Sequence, residues 1–136
     1  MWLLDANVCI QFLKGNNAML LERFTAIPQA DKYLCSVVAG ELYYGACKSQ
    51  RIAENMQRFE QFIARFPMLV FDRAAARHFG EIRAVLARKG TPIGPYDLQI
   101  AAIALANGCT LVTHNTVEFS RVGGLKLEDW EVSGCS

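Results

Sequence analysis

Short apolar runs alternate with helical stretches along the whole chain, and this alternation narrows the accessible folds more than any other feature. The runs at residues 2–4, 33–35, 68–71 and 110–113 are too short for helices and lack the polar–apolar alternation of a half-solvated strand. They read as buried strands, with a fifth at residues 125–127. Between them, helical spacing is expected over residues 7–14, 18–26 and 52–66, the last placing Met56, Phe59, Phe62, Ile63 and Phe66 on one face before Pro67. Ser36 is the expected N-cap of a helix running through Glu41 and Leu42 to Ala46, and Asp72 that of a long helix to Lys89. Residues 97–107 are nearly all apolar, so that helix should be buried on most sides, with Gly108 as its C-cap. Strands alternating with helices specify an α/β fold, a parallel sheet of about five strands flanked by helices on both faces. At 136 residues the chain has room for one domain, spanning 1–136.

Composition removes several function classes. Apolar residues make up 52% and charged residues 20%, enough for a core and too ordered a mixture for a disordered chain. No apolar stretch approaches the roughly 18 residues of a membrane span. Met1 leads straight into an apolar run without a basic leader or cleavage site, so no signal peptide is expected. The five cysteines, Cys9, Cys35, Cys47, Cys109 and Cys135, are odd in number, scattered and without a CxxC pair. That pattern fits a reducing cytoplasm, not a disulfide framework. Two histidines, His78 and His114, lack zinc-ligand spacing.

The net charge of +1 hides an uneven distribution. Residues 48–89 hold nine basic side chains against four acids, a local +5, and the remainder is correspondingly acidic. A basic middle beside an acidic pocket suits a polyanion held next to a cation, although solvated helix surfaces carry the same residues.

The acids have a pattern of their own. In open parallel sheets, ligands bind beyond the carboxyl ends of the strands. Asp5 ends the first strand, Glu41 lies inside the apolar helix after the second, Asp97 opens the buried helix, and Asn115 and Glu118 follow the fourth strand. Asp5 could be a turn residue, Asp97 a helix cap, and Glu118 an ordinary loop acid. Glu41, amid Val37-Val38-Ala39-Gly40, is costly there unless paired. His114 could be a general base or a phosphate contact, or neither. Together the acids need a cation to offset their repulsion. Oxygen donors select Mg²⁺ or Mn²⁺, and phosphodiester hydrolysis is the chemistry that best uses such a site.

These residues also carry a resemblance. Leu3-Leu4-Asp5-Ala6-Asn7, Gly40-Glu41-Leu42-Tyr43-Tyr44-Gly45-Ala46 and Pro92-Ile93-Gly94-Pro95-Tyr96-Asp97-Leu98 resemble the first three motifs of PIN-domain ribonucleases. Leu111-Val112-Thr113-His114-Asn115-Thr116-Val117-Glu118-Phe119 and Gly124-Leu125-Lys126-Leu127-Glu128-Asp129-Trp130 resemble the fourth motif and last strand. The likeness runs from Leu3 to Trp130 and is similar to the VapC-type toxins of bacterial VapBC pairs. It implies a Mg²⁺-dependent endoribonuclease (Mn²⁺ may substitute), a homodimer, inhibition by a cognate VapB-type antitoxin, and a tRNA loop as substrate. It implies Asp5, Glu41, Asp97, Glu118 and Asn115 as catalytic residues, with Asp5, Asp97, Glu41 and Glu118 on the metal. Ala6 stands where the family usually has Thr, so a supporting hydroxyl is expected to be missing. Asn115 stands where many members have Asp, which favours one firmly held metal.

Two other readings compete. A haloacid-dehalogenase-like phosphatase would need an acid two residues after Asp5, where Asn7 stands. A catalytically silent module could use the acidic pocket to dock a basic peptide, but retention of Asp5, Glu41 and Asp97 argues against decay. The dimer expectation also has a motive in the residues: Leu20, Leu21, Phe24, Phe59, Phe62, Ile63 and Phe66 exceed what one core of this size should need.

Overall fold

In the computed structural model, which describes residues 1–132, five strands form one parallel sheet in the order β3-β2-β1-β4-β5. In chain order the elements are β1 (Trp2–Leu4), α1 (Ala6–Lys14), α2 (Ala18–Ala26), β2 (Lys32–Cys35), α3 (Ser36–Cys47) and α4 (Ile52–Ile63). They continue with β3 (Met68–Leu69), α5 (Arg73–Lys89), α6 (Pro95–Asn107), β4 (Thr110–Val112), α7 (Thr116–Phe119) and β5 (Leu127–Glu128). Cys135 lies outside the described residues.

The strand order decides where a ligand can sit. From the central β1 the chain moves outward through β2 and β3, then returns to the other side of β1 for β4 and β5. Right-handed crossovers running in opposite directions put the connecting helices on opposite faces. They also open a crevice beyond the carboxyl ends of β1 and β4, where the direction reverses. Register makes this concrete: Leu4 pairs with Val112, so the next residues, Asp5 and Thr113, stand side by side at the crevice.

Burial follows the apolar pattern. Leu3, Leu4, Leu34, Leu111 and Val112 are fully buried in the sheet, and α6 buries Leu98, Ile100, Ala101, Ala102, Ile103 and Ala104 around most of its circumference. Beyond its exposed first turn the helix is largely enclosed, because it packs on the sheet and α5 and also touches α3. Gly108 ends it with φ of 64°, the left-handed conformation that glycine adopts without steric cost.

Several local expectations are corrected. Ser36 is the first residue of α3, not its cap; Cys35 holds the extended cap conformation and contributes no side-chain hydrogen bond. Asp97 does not cap α6: Pro95, with its fixed φ and missing N–H, starts that helix two residues earlier, after Gly94. β3 stops at Leu69 and leaves Val70 and Phe71 exposed, while β5 is set by its pairing of Leu127 with Leu111 and begins two residues late. Most of the expected apolar excess is absorbed by the core. Phe24, Phe62, Ile63 and Phe66 are all buried. Phe12 stacks on Phe24 at 3.7 Å between centroids, and Phe66 and Trp130 meet Phe24 edge-on. Those buried residues therefore serve the core, whereas Leu21 and Phe59 are only half-buried.

Candidate active site

Asp5 sits at the floor of the crevice, 6% exposed. It is the N-cap of α1: Oδ1 accepts the Ala6 amide at 2.8 Å, and Oδ2 accepts the Thr113 hydroxyl at 2.8 Å. Burial raises its pKa against the pull of both hydrogen bonds. Thr113, itself fully buried, uses the same oxygen to accept the Asn115 amide at 3.0 Å. A hydroxyl does support the site, from the strand next to β1 in place of position 6. Sequence reading missed Thr113 because only the parallel pairing of β1 with β4 brings it to Asp5. A threonine one residue beyond a buried strand was the available signal.

Glu41 and Asp97 approach from α3 and from the first turn of α6, two helices in contact. Both are half-buried, and neither makes a hydrogen bond or an ion pair among the described residues. Burial and the negative charges of Asp5 and Asp97 push Glu41 up to about 7. Burial, Asp5 and Glu118 push Asp97 up to about 6. Asp5 acts on both Glu41 and Asp97, and Asp97 acts on Glu41 in turn, so these acids from separate segments lie near one another.

Glu118 is in a different state. Its Oε1 accepts the Gly94 amide at 3.0 Å and its Oε2 the Asn115 side-chain amide at 2.9 Å. Those bonds pull its pKa below the ordinary value. It lies in the short helix α7, not in a loop, and ties the segment after β4 to Gly94, the residue just before α6. Asn115 orients Glu118.

His114, considered for base or phosphate duty, faces another way. Its Nδ1 lies 3.0 Å from Asp129, just past β5. Among the described residues, His114, Asp129 and Glu131 are the one group whose donor atoms lie within 4.8 Å of one another. The crevice acids stand farther apart than that. Their donor set nevertheless fits a hard divalent cation better: it is all oxygen, it has two carboxylates with no partner, and its mutual repulsion calls for positive charge.

Beyond the acids the crevice opens into a cleft of about 430 Å³, lined in part by Glu41, Tyr44, Lys48, Tyr96 and Asp97. All nine basic side chains of residues 48–89 are exposed, but not all are free. Arg51 and Arg77 reach Glu54 and Glu81, at 3.3 and 3.9 Å, and Arg58 donates to the Leu13 carbonyl at the end of α1.

Comparison with known proteins gives a consistent result. A family model described as PIN domain matches residues 2–125. The chain is 47% identical over 129 residues to a tRNA(fMet)-specific endonuclease VapC of Shigella flexneri, covering 95% of this chain and 97% of that one. It is 38% identical over 131 residues to Ribonuclease VapC2 of Haemophilus influenzae, with the same coverage. Among solved structures, a DNA-bound VapBC from Salmonella typhimurium superposes with a TM-score of 0.88 at 43% identity, over 95% of this chain and 97% of that one. A DNA-bound VapBC2 from Rickettsia felis gives 0.88 at 32% identity, over 95% and 98%.

Proposed function

This chain belongs to the PIN-domain family, in its VapC ribonuclease branch, and from that premise we propose that it is a divalent-metal-dependent endoribonuclease toxin that cuts tRNA and is held inactive by a VapB-type antitoxin. The observation that carries the reading is the convergence of Asp5, Glu41 and Asp97 at the switch point of the sheet, two of them without a partner among the described residues. Asp5, Asp97 and Glu41 would hold Mg²⁺, or Mn²⁺ in its place. Bound there, such an ion would lower the pKa of a water and offset the charge of the scissile phosphate. Thr113 fixes the Asp5 carboxylate, and Glu118, oriented by Asn115, holds the start of α6 so that Asp97 faces the crevice and adds a fourth negative charge.

The tRNA(fMet) specificity of the Shigella relative supports tRNA as the RNA, and the exposed basic side chains of residues 48–89 support a polyanion grip. The exposed apolar Met68, Val70, Phe71 and Val85 support a surface that another chain covers, the antitoxin or a second copy in a homodimer. We assign the whole chain, 1–136, to one domain working in the cytoplasm; among the described residues no helix is long and apolar enough to cross a membrane.

The test is cleavage of purified total tRNA by the isolated protein, with Mg²⁺, with EDTA, and with Mg²⁺ after titration with the protein encoded by the neighbouring reading frame. Discrete fragments that vanish with EDTA and with that protein are expected. Intact tRNA under all three conditions would overturn the reading.

A further inference from the structure

Two helices border the crevice, and each displays an exposed tyrosine beside its acid. Tyr44 lies three residues after Glu41 on α3 and is 66% exposed; Tyr96 immediately precedes Asp97 on α6 and is 64% exposed. Both line the cleft that holds Glu41 and Asp97. Both also line a neighbouring cleft of about 670 Å³ whose other walls are Val37, Gly40, Glu41 and Gln99. Tyr44, Tyr96 and Glu41 thus join the acidic centre to a larger, mostly apolar chamber. Large aromatic rings this exposed bury little for the fold.

The glycines of α3 make an independent point. Gly40 and Gly45 are internal to a twelve-residue helix, where glycine is less favourable than alanine. Neither has a positive φ, and a Cβ built at either meets no atom within 4 Å. Neither backbone strain nor packing in this chain asks for them. Each lines one of the two clefts, Gly40 the larger and Gly45 the smaller. At both positions the cleft wall therefore carries no side chain.

We propose that the Tyr44–Tyr96 cleft is a nucleobase pocket, in which an unpaired base next to the scissile phosphate stacks on Tyr96 or Tyr44 while the phosphate reaches the acids. The chemistry matches on three sides. Aromatic faces stack on any base and so favour unpaired over paired RNA. The Gln99 side chain offers both a donor and an acceptor to a base edge. The Lys48 ammonium lies 5.0 Å from the centre of the Tyr44 ring, where it can also meet the RNA backbone. This pocket rests on the endoribonuclease reading above, deepens it, and places the selection for loops within the chain's own cleft.

The experiment joins two readouts. The probe is a fluorescein-labelled RNA stem-loop carrying the cut site mapped in total tRNA (or a tRNA anticodon stem-loop if none is cut), together with copies that are abasic at each nucleotide flanking that position. Binding is followed by fluorescence anisotropy in EDTA, and cleavage by single-turnover kinetics in Mg²⁺. Tyr96→Ala and Tyr44→Ala are expected to weaken binding of the intact probe by about 5- to 150-fold, the worth of one base–aromatic stack. Tyr96→Phe restores most of that loss, because stacking does not use the hydroxyl. The parent should lose a similar factor on one abasic probe, and Tyr96→Ala or Tyr44→Ala should lose little more on it. Gly40→Ala should melt higher than the parent yet bind the probe more weakly.

Tyrosine-to-alanine variants that bind intact and abasic probes like the parent would overturn the pocket and leave the nuclease reading standing. A parent that binds with this pattern but cuts nothing in Mg²⁺ would overturn the nuclease reading and leave the pocket. A Tyr44→Ala or Tyr96→Ala variant that sediments as a monomer where the parent is a dimer, with RNA affinity unchanged, would assign the face to a second copy and overturn the pocket.

Discussion

Asp5 and Asp97 carry the same carboxylate in the same crevice, and the chain treats them in opposite ways. Asp5 is buried at the end of the central strand, with each oxygen accepting a hydrogen bond, from Ala6 and from Thr113. Asp97 is half-buried on the first turn of α6 with no partner among the described residues, and burial plus neighbouring charge lift it to about 6. The first arrangement fixes position: sheet register and two hydrogen bonds determine where the carboxylate points. The second stores unfavourable charge, which a cation relieves. A site that binds a metal tightly and in one geometry needs both kinds of ligand. Glu118 marks the far end of the scale, its two bonded oxygens pulling it below the usual carboxylate range.

The largest effect should come from removing stored charge. Asp97→Asn is expected to slow tRNA cleavage by about a thousandfold or more, the several kcal/mol that a catalytic metal contributes. In metal-free buffer the same variant should melt higher than the parent, because one of the repelling charges is gone. Single-turnover cleavage and a thermal melt of one preparation check both. A variant that cleaves poorly and also melts lower would mean that Asp97 holds the fold.

The opposite side of the comparison is broken at Thr113. Thr113→Val removes the hydroxyl while keeping the shape, leaving the buried Asp5 oxygen and the Asn115 amide short of a partner. Stability should fall by about 1–3 kcal/mol, read by denaturant unfolding. Cleavage should fall by about 10- to 100-fold, the usual cost of losing a group that orients a metal ligand. Thr113→Ser should recover most of both.

Sequence alone reached one half of this comparison and not the other. Asp97 was legible because an acid opening a nearly all-apolar helix stands out, and Glu41 because it interrupts Val37-Val38-Ala39-Gly40. The strands and α6 were legible for a related reason: short unbroken apolar runs and a helix without a polar face both mark burial. The support of Asp5 was not legible. Thr113 is 108 residues away, and only the pairing of Leu4 with Val112 brings the two together. Local chemistry also misled. A serine before a helix suggested a cap, whereas the backbone turns one residue earlier at Cys35. Counted singly, the phenylalanines looked like surplus. In three dimensions they stack on one another around Phe24.

pH sharpens the comparison further. Glu41 and Asp97 titrate in the folded protein at about 7 and 6, above their ordinary values of 4.5 and 3.8. Between those limits the folded chain binds more protons than the unfolded one, so stability in EDTA should decline from about pH 4 to pH 7 and then level off. Saturating Mg²⁺ should raise the melting temperature by several degrees at pH 8 and by much less at pH 5, where protons occupy the ligands. A melt series in EDTA that rises steadily over the same range would contradict these shifts.

The smallest effect lies at the rim. Lys48→Glu, at the edge of the cleft, should raise the Michaelis constant for tRNA and reduce the slope of log affinity against log salt by about 1, with Mg²⁺ binding unchanged. Cleavage measured over a salt series reads this directly. A parental slope would place the grip on other basic residues of the 48–89 segment.

The crevice carboxylates and the more tightly clustered His114, Asp129 and Glu131 can be told apart as metal ligands by direct titration. Calorimetric titration of Mn²⁺ into the metal-free parent, Asp97→Asn and His114→Ala at pH 6.5 separates them, run in two buffers of different ionisation heat to count released protons. The account predicts one saturable site in the parent that Mg²⁺ displaces, accompanied by proton release because Glu41 and Asp97 are partly protonated there. That site should persist in His114→Ala and vanish in Asp97→Asn. Binding that survives Asp97→Asn and is lost in His114→Ala would contradict the assignment of the crevice as the metal centre.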